Sequence, residues 1–172
     1  MAPIERLVFF GTPGLAVPTL EVLCDAGRAP LLVVTQPARP AGRGQRLRQP
    51  PVAAWALEHG LPVEQPGSVR RPEFLDGLLR LAPDLAVVVA FGKIFPPALL
   101  RIPVAGCVNL HASLLPRHRG AAPIQAAIAA GDPVTGVTTM LMDEGLDTGP
   151  CLLRQRQLKI RSALNSNRRR NN

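Results

Sequence analysis

Residues 6–24 read RLVFFGTPGLAVPTLEVLC. A short apolar run from Arg6 to Phe10 meets a Gly11-Thr12-Pro13-Gly14 turn, and Leu15, Val17, Leu20, Leu23 and Cys24 then follow at near-helical spacing. That pattern is a strand, a tight turn and a helix. The same alternation continues along the chain. Leu31–Thr35 lacks polar alternation and reads as a buried strand, as do LAVVVA at 85–90, Cys107–Leu110 and Val137–Met142. Pro51–Glu58 reads as a helix with proline in its first turn and Gly60 just past its end, and Glu73–Leu81 and Ile124–Ala130 are helical stretches. Strands alternating with helices predict an α/β domain: a doubly wound, mostly parallel sheet with helices on both faces. Ligands of such sheets sit at the carboxyl ends of the strands, so the segments after Phe10, Thr35, Ala90, Leu110 and Met142 are expected to line one cleft.

Composition narrows the class. The 172 residues suffice for one domain with a hydrophobic core, and 47% hydrophobic content excludes disorder throughout. The +8 charge invites a nucleic-acid reading, but seven of the twenty basic residues lie after Pro150. The thirteen that remain face twelve acidic residues, a net +1 for residues 1–150, so only local clusters can support that reading. Cys24, Cys107 and Cys151 are odd in number and form no C-x-x-C pair, which predicts buried thiols rather than disulfides or a zinc knuckle. MAPIERLVFF carries Glu5 and Arg6 ahead of a short apolar run, unlike a secretory signal or a membrane span, so a reducing cytoplasm is the expected compartment.

The chemistry concentrates in Asn109-Leu110-His111-Ala112-Ser113-Leu114-Leu115-Pro116-Arg117-His118-Arg119-Gly120. Two positions apart on an extended run, Asn109 and His111 face the same way. An amide beside an imidazole can hydrogen-bond the developing oxyanion of an acyl transfer. The same two groups can also just satisfy backbone atoms at a strand end. Arg117, His118 and Arg119 are equally compatible with a solvated loop, and His118 has no partner at metal-ligand spacing. A second basic segment, Thr35–Pro50, places Arg39, Arg43, Arg46 and Arg48 in a Gly/Pro-rich loop. A loop of that length is usually functional or disordered, and its arginines suit phosphates or the splayed bases of an RNA end, or stand solvated.

The string NLHASLLPRHRGAAPIQAAIAAGDPVTGVT resembles the signature of the formyltransferases that draw on 10-formyltetrahydrofolate, and Met142–Gly149 (MDEGLDTG) is similar to their D-x-G-x-D-T-G loop. The loop TQPARPAGRG at 35–44 and the start FFGTPG at 9–14 resemble the methionyl-tRNA formyltransferases among them, with Leu15 where an aromatic is commoner. The resemblance implies a Rossmann-like formyltransferase fold, incomplete at its C-terminus, and a catalytic set of Asn109, His111 and Asp147. It also implies a folate cleft bordered by Ser113, Leu114, Leu115, Pro116, Gly120, Phe91 and Gly92, with Ile94 and Phe95 either beside it or plain core. Arg39, Arg43, Arg46 and Arg48 become tRNA contacts. Asp147 near His111 would favour and orient the imidazolium; on loop chemistry alone it could instead cap a turn.

The implied reaction moves formyl from 10-formyltetrahydrofolate to the amino group of initiator methionyl-tRNA, with no metal and no membrane, in a monomer. Residues 1–157 are then a partial catalytic domain and 158–172 a disordered basic tail unlike the family, in a chain that ends before the family's tRNA-gripping C-terminal part. Two rivals stand beside it: another formyltetrahydrofolate-dependent transferase or hydrolase, which would lack the 36–50 arginine loop, and a non-catalytic RNA-binding fragment.

Overall fold

The computed structural model describes residues 3–41 and 46–158. Its strands are β1 (Leu7–Gly11), β2 (Leu32–Val34), β3 (Arg39–Ala41), β4 (Arg46–Arg48), β5 (Val63–Glu64), β6 (Leu85–Val89), β7 (Cys107–His111), β8 (Val134–Leu141) and β9 (Cys151–Leu158). The helices are α1 (Val17–Asp25), α2 (Pro51–Glu58), α3 (Pro72–Leu81), α4 (Pro97–Leu100) and α5 (Pro123–Ala129). Each of these helices carries proline at its first or second position and none has a side-chain N-cap bond. Proline has no N–H to leave unpaired and its φ is already helical, so it starts a helix without a capping side chain. Five of the chain's 19 prolines are used this way.

Seven strands form one sheet in the order β5-β2-β1-β6-β7-β8-β9. β5 through β7 are parallel, while β8 and β9 are antiparallel to their neighbours. The expected doubly wound, mostly parallel sheet is therefore present. Period-two alternation sorts its core into two layers. Val8 and Phe10 of β1 pack with Val34, Ala86, Val88 and Cys107 beneath Phe74 and Leu78 of α3 and Leu99 of α4. Phe9 faces the other way with Val33 and Val89, beneath Leu20 of α1 and Val52 and Ala56 of α2. Burying Phe9 and Phe10 on opposite faces removes two large apolar side chains from water, roughly 1.5–3 kcal/mol each.

Three sequence expectations need correction. The segment after Met142 does not leave from the carboxyl edge, because Val108 of β7 pairs with Leu141 of the antiparallel β8, which places the end of β8 beside the start of β7. The 36–50 segment is not structureless throughout, since β3 and β4 pair antiparallel at its base. Of the three thiols, Cys107 is buried but Cys24 and Cys151 are only half-buried, and all three are free. Burial pushes the Cys107 thiol up to about 12.

The start of β1 is tied to the turn before β6. Asp84 Oδ2 accepts the main-chain N–H groups of Arg6 and Glu5, each at 2.8 Å, while the Arg6 guanidinium reaches the Leu81 and Ala82 carbonyls at the end of α3. The Arg6 N–H, then that of Glu5, with the Arg6 charge adding, hold the Asp84 carboxyl below its ordinary value. A depressed carboxylate contributes stability above its unfolded pKa and loses it as pH falls through the folded one. Asp84→Asn should therefore be less stable than the unsubstituted chain at neutral pH, with the gap closing at pH below the carboxylate range. Urea unfolding at the two pH values measures this, and a gap that stays constant contradicts it.

Candidate active site

β7 carries Asn109 and His111 on the face that Cys107 contributes to the α3-side core, so the apolar layer turns polar as the strand reaches its carboxyl end. His111 is buried and Asn109 half-buried. The chain then folds back over that face. The Thr138 hydroxyl of β8, fully buried, donates to the Ser113 carbonyl at 2.7 Å and accepts the Leu115 N–H at 3.1 Å. The Ser113 hydroxyl donates to the Arg117 carbonyl at 2.6 Å. These bonds return residues 118–120 to the end of β7.

Asp147 arrives by another route. From the end of β8 the 142–150 loop crosses back over the sheet, with Met142 packed on the α3-side core. Asp143 is the turn-capping residue, its Oδ1 accepting the Gly145 N–H at 3.0 Å and the Thr148 hydroxyl at 2.7 Å. Asp147, in the left-handed region at φ 53°, is free of that duty. Its Oδ2 accepts the Gly120 N–H at 2.8 Å and lies 3.6 Å from His111 Nδ1, and its Oδ1 lies 3.4 Å from Asn109 Nδ2. The three residues thus meet. The 3.6 Å separation is ion-pair range rather than a hydrogen bond. On the other side of the ring, His111 Nε2 lies 2.9 Å from the His118 carbonyl, which can only accept, so Nε2 carries a proton in this arrangement. The ring thus has a hydrogen-bond acceptor at Nε2 and a carboxylate near Nδ1. Gly120 has φ 101°, open to glycine and strained for any other residue.

The expected cleft residues divide by what they offer. Ser113, Leu115 and Phe91 are buried, and Phe91 packs edge-on against Phe10 and Phe95 at 5.3 and 5.8 Å, so they offer only main-chain atoms to a ligand. Phe95 is core, whereas Ile94 is 69% exposed at the same strand exit. Leu114 is half-buried, and Pro116 is exposed. Gly92 has φ 78° and sits where a Cβ would strike Gln36 Nε2. That Gln36 amide donates to the Phe91 carbonyl at 2.8 Å and accepts from Arg39 at 2.7 Å, linking the base of the arginine segment to the cleft wall. Arg39 pairs with Arg48 across β3 and β4, and Ala41 with Arg46, so Arg39, Arg46 and Arg48 share one face of the ribbon. Like charges directly opposite repel, which leaves that face suited to an anion. Arg43 lies outside the described residues. His118 is not solvated: its Nε2 lies 2.6 Å from Asp132 Oδ2, and Asp132, which the sequence reading passed over, also takes Arg117 Nη2 at 2.5 Å. Arg119 is exposed.

The end of β7 and the 142–150 loop bring an amide, an imidazole and a carboxylate to one point, and the chain belongs to the formyl transferase family, whose model matches residues 6–168. It is similar to the methionyl-tRNA formyltransferase of Trichlorobacter lovleyi, 59% identical over 150 residues, covering 87% of this chain and 48% of that protein. The corresponding enzyme of Pelobacter propionicus is 60% identical over 151 residues, covering 88% and 47%. The chain spans about half the length of these curated relatives. Among solved structures it resembles the phosphoribosylglycinamide formyltransferase of Bacillus halodurans, with TM-score 0.74, 25% identity, and coverage of 92% of this chain and 82% of that one. The glycinamide ribonucleotide transformylase 1 of Geobacillus kaustophilus gives TM-score 0.73 at 26% identity, covering 93% and 86%. The matched family range passes the Gln157 boundary read from the sequence. Among the described residues no group of three His, Cys, Asp or Glu could hold a metal ion, and no helix is long and apolar enough to cross a membrane.

Thr138 holds the fold-back of the site loop through two buried bonds. Thr138→Val keeps the shape and strands both the Leu115 N–H and the Ser113 carbonyl, so it should destabilise the chain by about 2 kcal/mol or more. Equilibrium unfolding measures the loss, and a difference below about 0.5 kcal/mol contradicts the role.

Proposed function

We propose that the chain carries the formyl-transfer centre of a methionyl-tRNA formyltransferase, moving a formyl group from 10-formyltetrahydrofolate to the amino group of initiator methionyl-tRNA. The meeting of Asn109, His111 and Asp147 at one point carries this reading. When bound, the folate supplies an activated formyl group on nitrogen. The residues present suit it: exposed Ile94, Leu15 and Leu146 offer apolar surface, and the 113–120 segment offers main-chain hydrogen-bonding groups.

In this reading the substrate amine forms a C–N bond to the formyl carbon, the bond from that carbon to the folate nitrogen breaks, and one proton passes from amine to leaving nitrogen. Asn109 orients the formyl oxygen with the amide hydrogen not directed at Asp147 and stabilises the oxyanion without changing charge. Asp147 holds the His111 ring and its positive charge, and His111 assists the oxyanion and the proton transfer. In this reading the 3.4 and 3.6 Å separations shorten when substrate binds.

The arginine ribbon supports tRNA as the amine carrier. Arg39, Arg46 and Arg48 share a face, follow directly from β2 at the carboxyl edge, and connect to the cleft wall through Gln36. Arg43 completes the proposed contact set. Three free thiols suit a reducing cytoplasm, where translation initiates, and the proposed unit is a monomer.

The two halves of this proposal fail differently under mutation. In single-turnover formylation with the chain in excess, His111→Ala should slow transfer on the order of a hundredfold with folate binding retained. Arg46→Ala with Arg48→Ala should leave folate binding intact, weaken tRNA binding and lower the salt dependence of that binding by roughly one unit of slope per lost phosphate contact. Transfer unaffected by His111→Ala removes the catalytic assignment; unchanged tRNA affinity and slope in the arginine pair removes the tRNA assignment. Binding of tRNA without turnover in the unsubstituted chain supports the non-catalytic rival.

A further inference from the structure

Residues 118–120 hold both members of the His111–Asp147 pair at once. The His118 carbonyl takes the proton on His111 Nε2 at 2.9 Å, and the Gly120 N–H donates to Asp147 Oδ2 at 2.8 Å. A small rotation of this segment would move the imidazole and the carboxylate together. What fixes the segment is therefore part of how the site works.

The anchor is a buried carboxylate behind it. Asp132, 7% exposed, follows α5, where its main-chain N–H donates to the Ala127 carbonyl at 3.0 Å. Its Oδ2 lies 2.6 Å from His118 Nε2 and its Oδ1 2.5 Å from Arg117 Nη2. His118 itself has φ 55°, a left-handed conformation that a non-glycine residue adopts at a cost unless the surroundings hold it. Packing does not do this alone, since Leu114, Arg117, His118, Asp132 and Arg156 border a cavity of about 220 Å³ on that side. The segment has room to move once the carboxylate lets go. A buried ion pair broken on one side leaves an uncompensated charge, so the carboxylate enforces this geometry strongly.

We propose that Asp132 is a positioning residue for formyl transfer: through the side chains of His118 and Arg117 it fixes the 118–120 main chain, and so sets the orientation of the His111 ring relative to Asp147. This rests on the proposed role of that pair. It assigns to the Asp132–His118 contact a function beyond loop stability, namely control of a ring to which neither side chain bonds directly.

The chain contains three histidines, at 59, 111 and 118, so nitrogen-15 histidine spectra of the full chain can follow each ring. Asp132→Asn and His118→Leu should both shift the ring-nitrogen signals of His111 and weaken protonation at its Nε2, while His59 signals stay in place. His118→Gln keeps a donor for Asp132 and should return the His111 signals to their original positions. His111 signals that stay unmoved in both Asp132→Asn and His118→Leu overturn the proposal, as does an equal shift in His118→Gln. If Asp132→Asn fails to fold, the His118→Leu and His118→Gln pair decides by the same criterion. In transfer assays Asp132→Asn should lower kcat on the order of tenfold to a hundredfold with KM for both substrates little changed, and a loss confined to KM contradicts positioning. If the unsubstituted chain transfers no formyl group, the functional proposal fails, and the His111 signals still decide whether Asp132 sets the ring.

Discussion

The Asp147 carboxylate accepts the Gly120 N–H at 2.8 Å while standing 3.6 Å from His111 Nδ1 and 3.4 Å from Asn109 Nδ2. Through it, three chain segments share one point: the end of β7, the bend at Gly120 that follows it, and the loop between β8 and β9, some 27 residues farther along. A half-buried carboxylate needs such partners, because an unpaired charge out of water is strongly unfavourable. That need is met by the Gly120 N–H and by the neighbouring His111 ring and Asn109 amide. Asp143 makes this possible by taking over the turn-capping contacts, to Gly145 and Thr148, that a loop aspartate would otherwise make.

The sheet supplies the rigidity. β1, β6 and β7 run parallel with apolar layers on both faces, so the carboxyl end of β7 is held from both sides. The antiparallel β8 then contributes Thr138 directly opposite His111, and its hydroxyl secures the first turn of the returning segment. Reversal of β8 also sends the 142–150 loop out at the far edge, which is why Asp147 must come back across the sheet face to reach the site. A parallel strand here would have put the loop at the carboxyl edge from the start.

Much of this was legible in the sequence for identifiable reasons. Unbroken apolar runs marked β1, β2, β6 and β7, and Pro51 marked the first turn of α2, Pro51–Glu58, which was read to its observed ends. The two-residue period of a strand placed Asn109 and His111 on one face. Asp147 came from motif resemblance, since its loop carries no periodicity. Other features left no local signal. Val63–Glu64 is too short to show a period, and CLLRQRQL of β9 is half polar on an edge with Leu152 and Leu153 both exposed. The direction of β8 cannot be read from hydrophobic pattern, which is the same for either sense. Asp132 sits in an unremarkable AGDP turn, and its partners Arg117 and His118 lie 15 and 14 residues back, a pairing that only tertiary structure creates.

If His111 and Asp147 act as one unit on the transferring formyl group, their contributions to rate are coupled. A double-mutant cycle on the single-turnover formylation rate, with His111→Ala, Asp147→Ala and the combination, measures that coupling. The predicted result is strong non-additivity, the double variant being slowed about as much as the worse single one. Two losses that simply multiply would show that the two side chains contribute separately and would contradict the account.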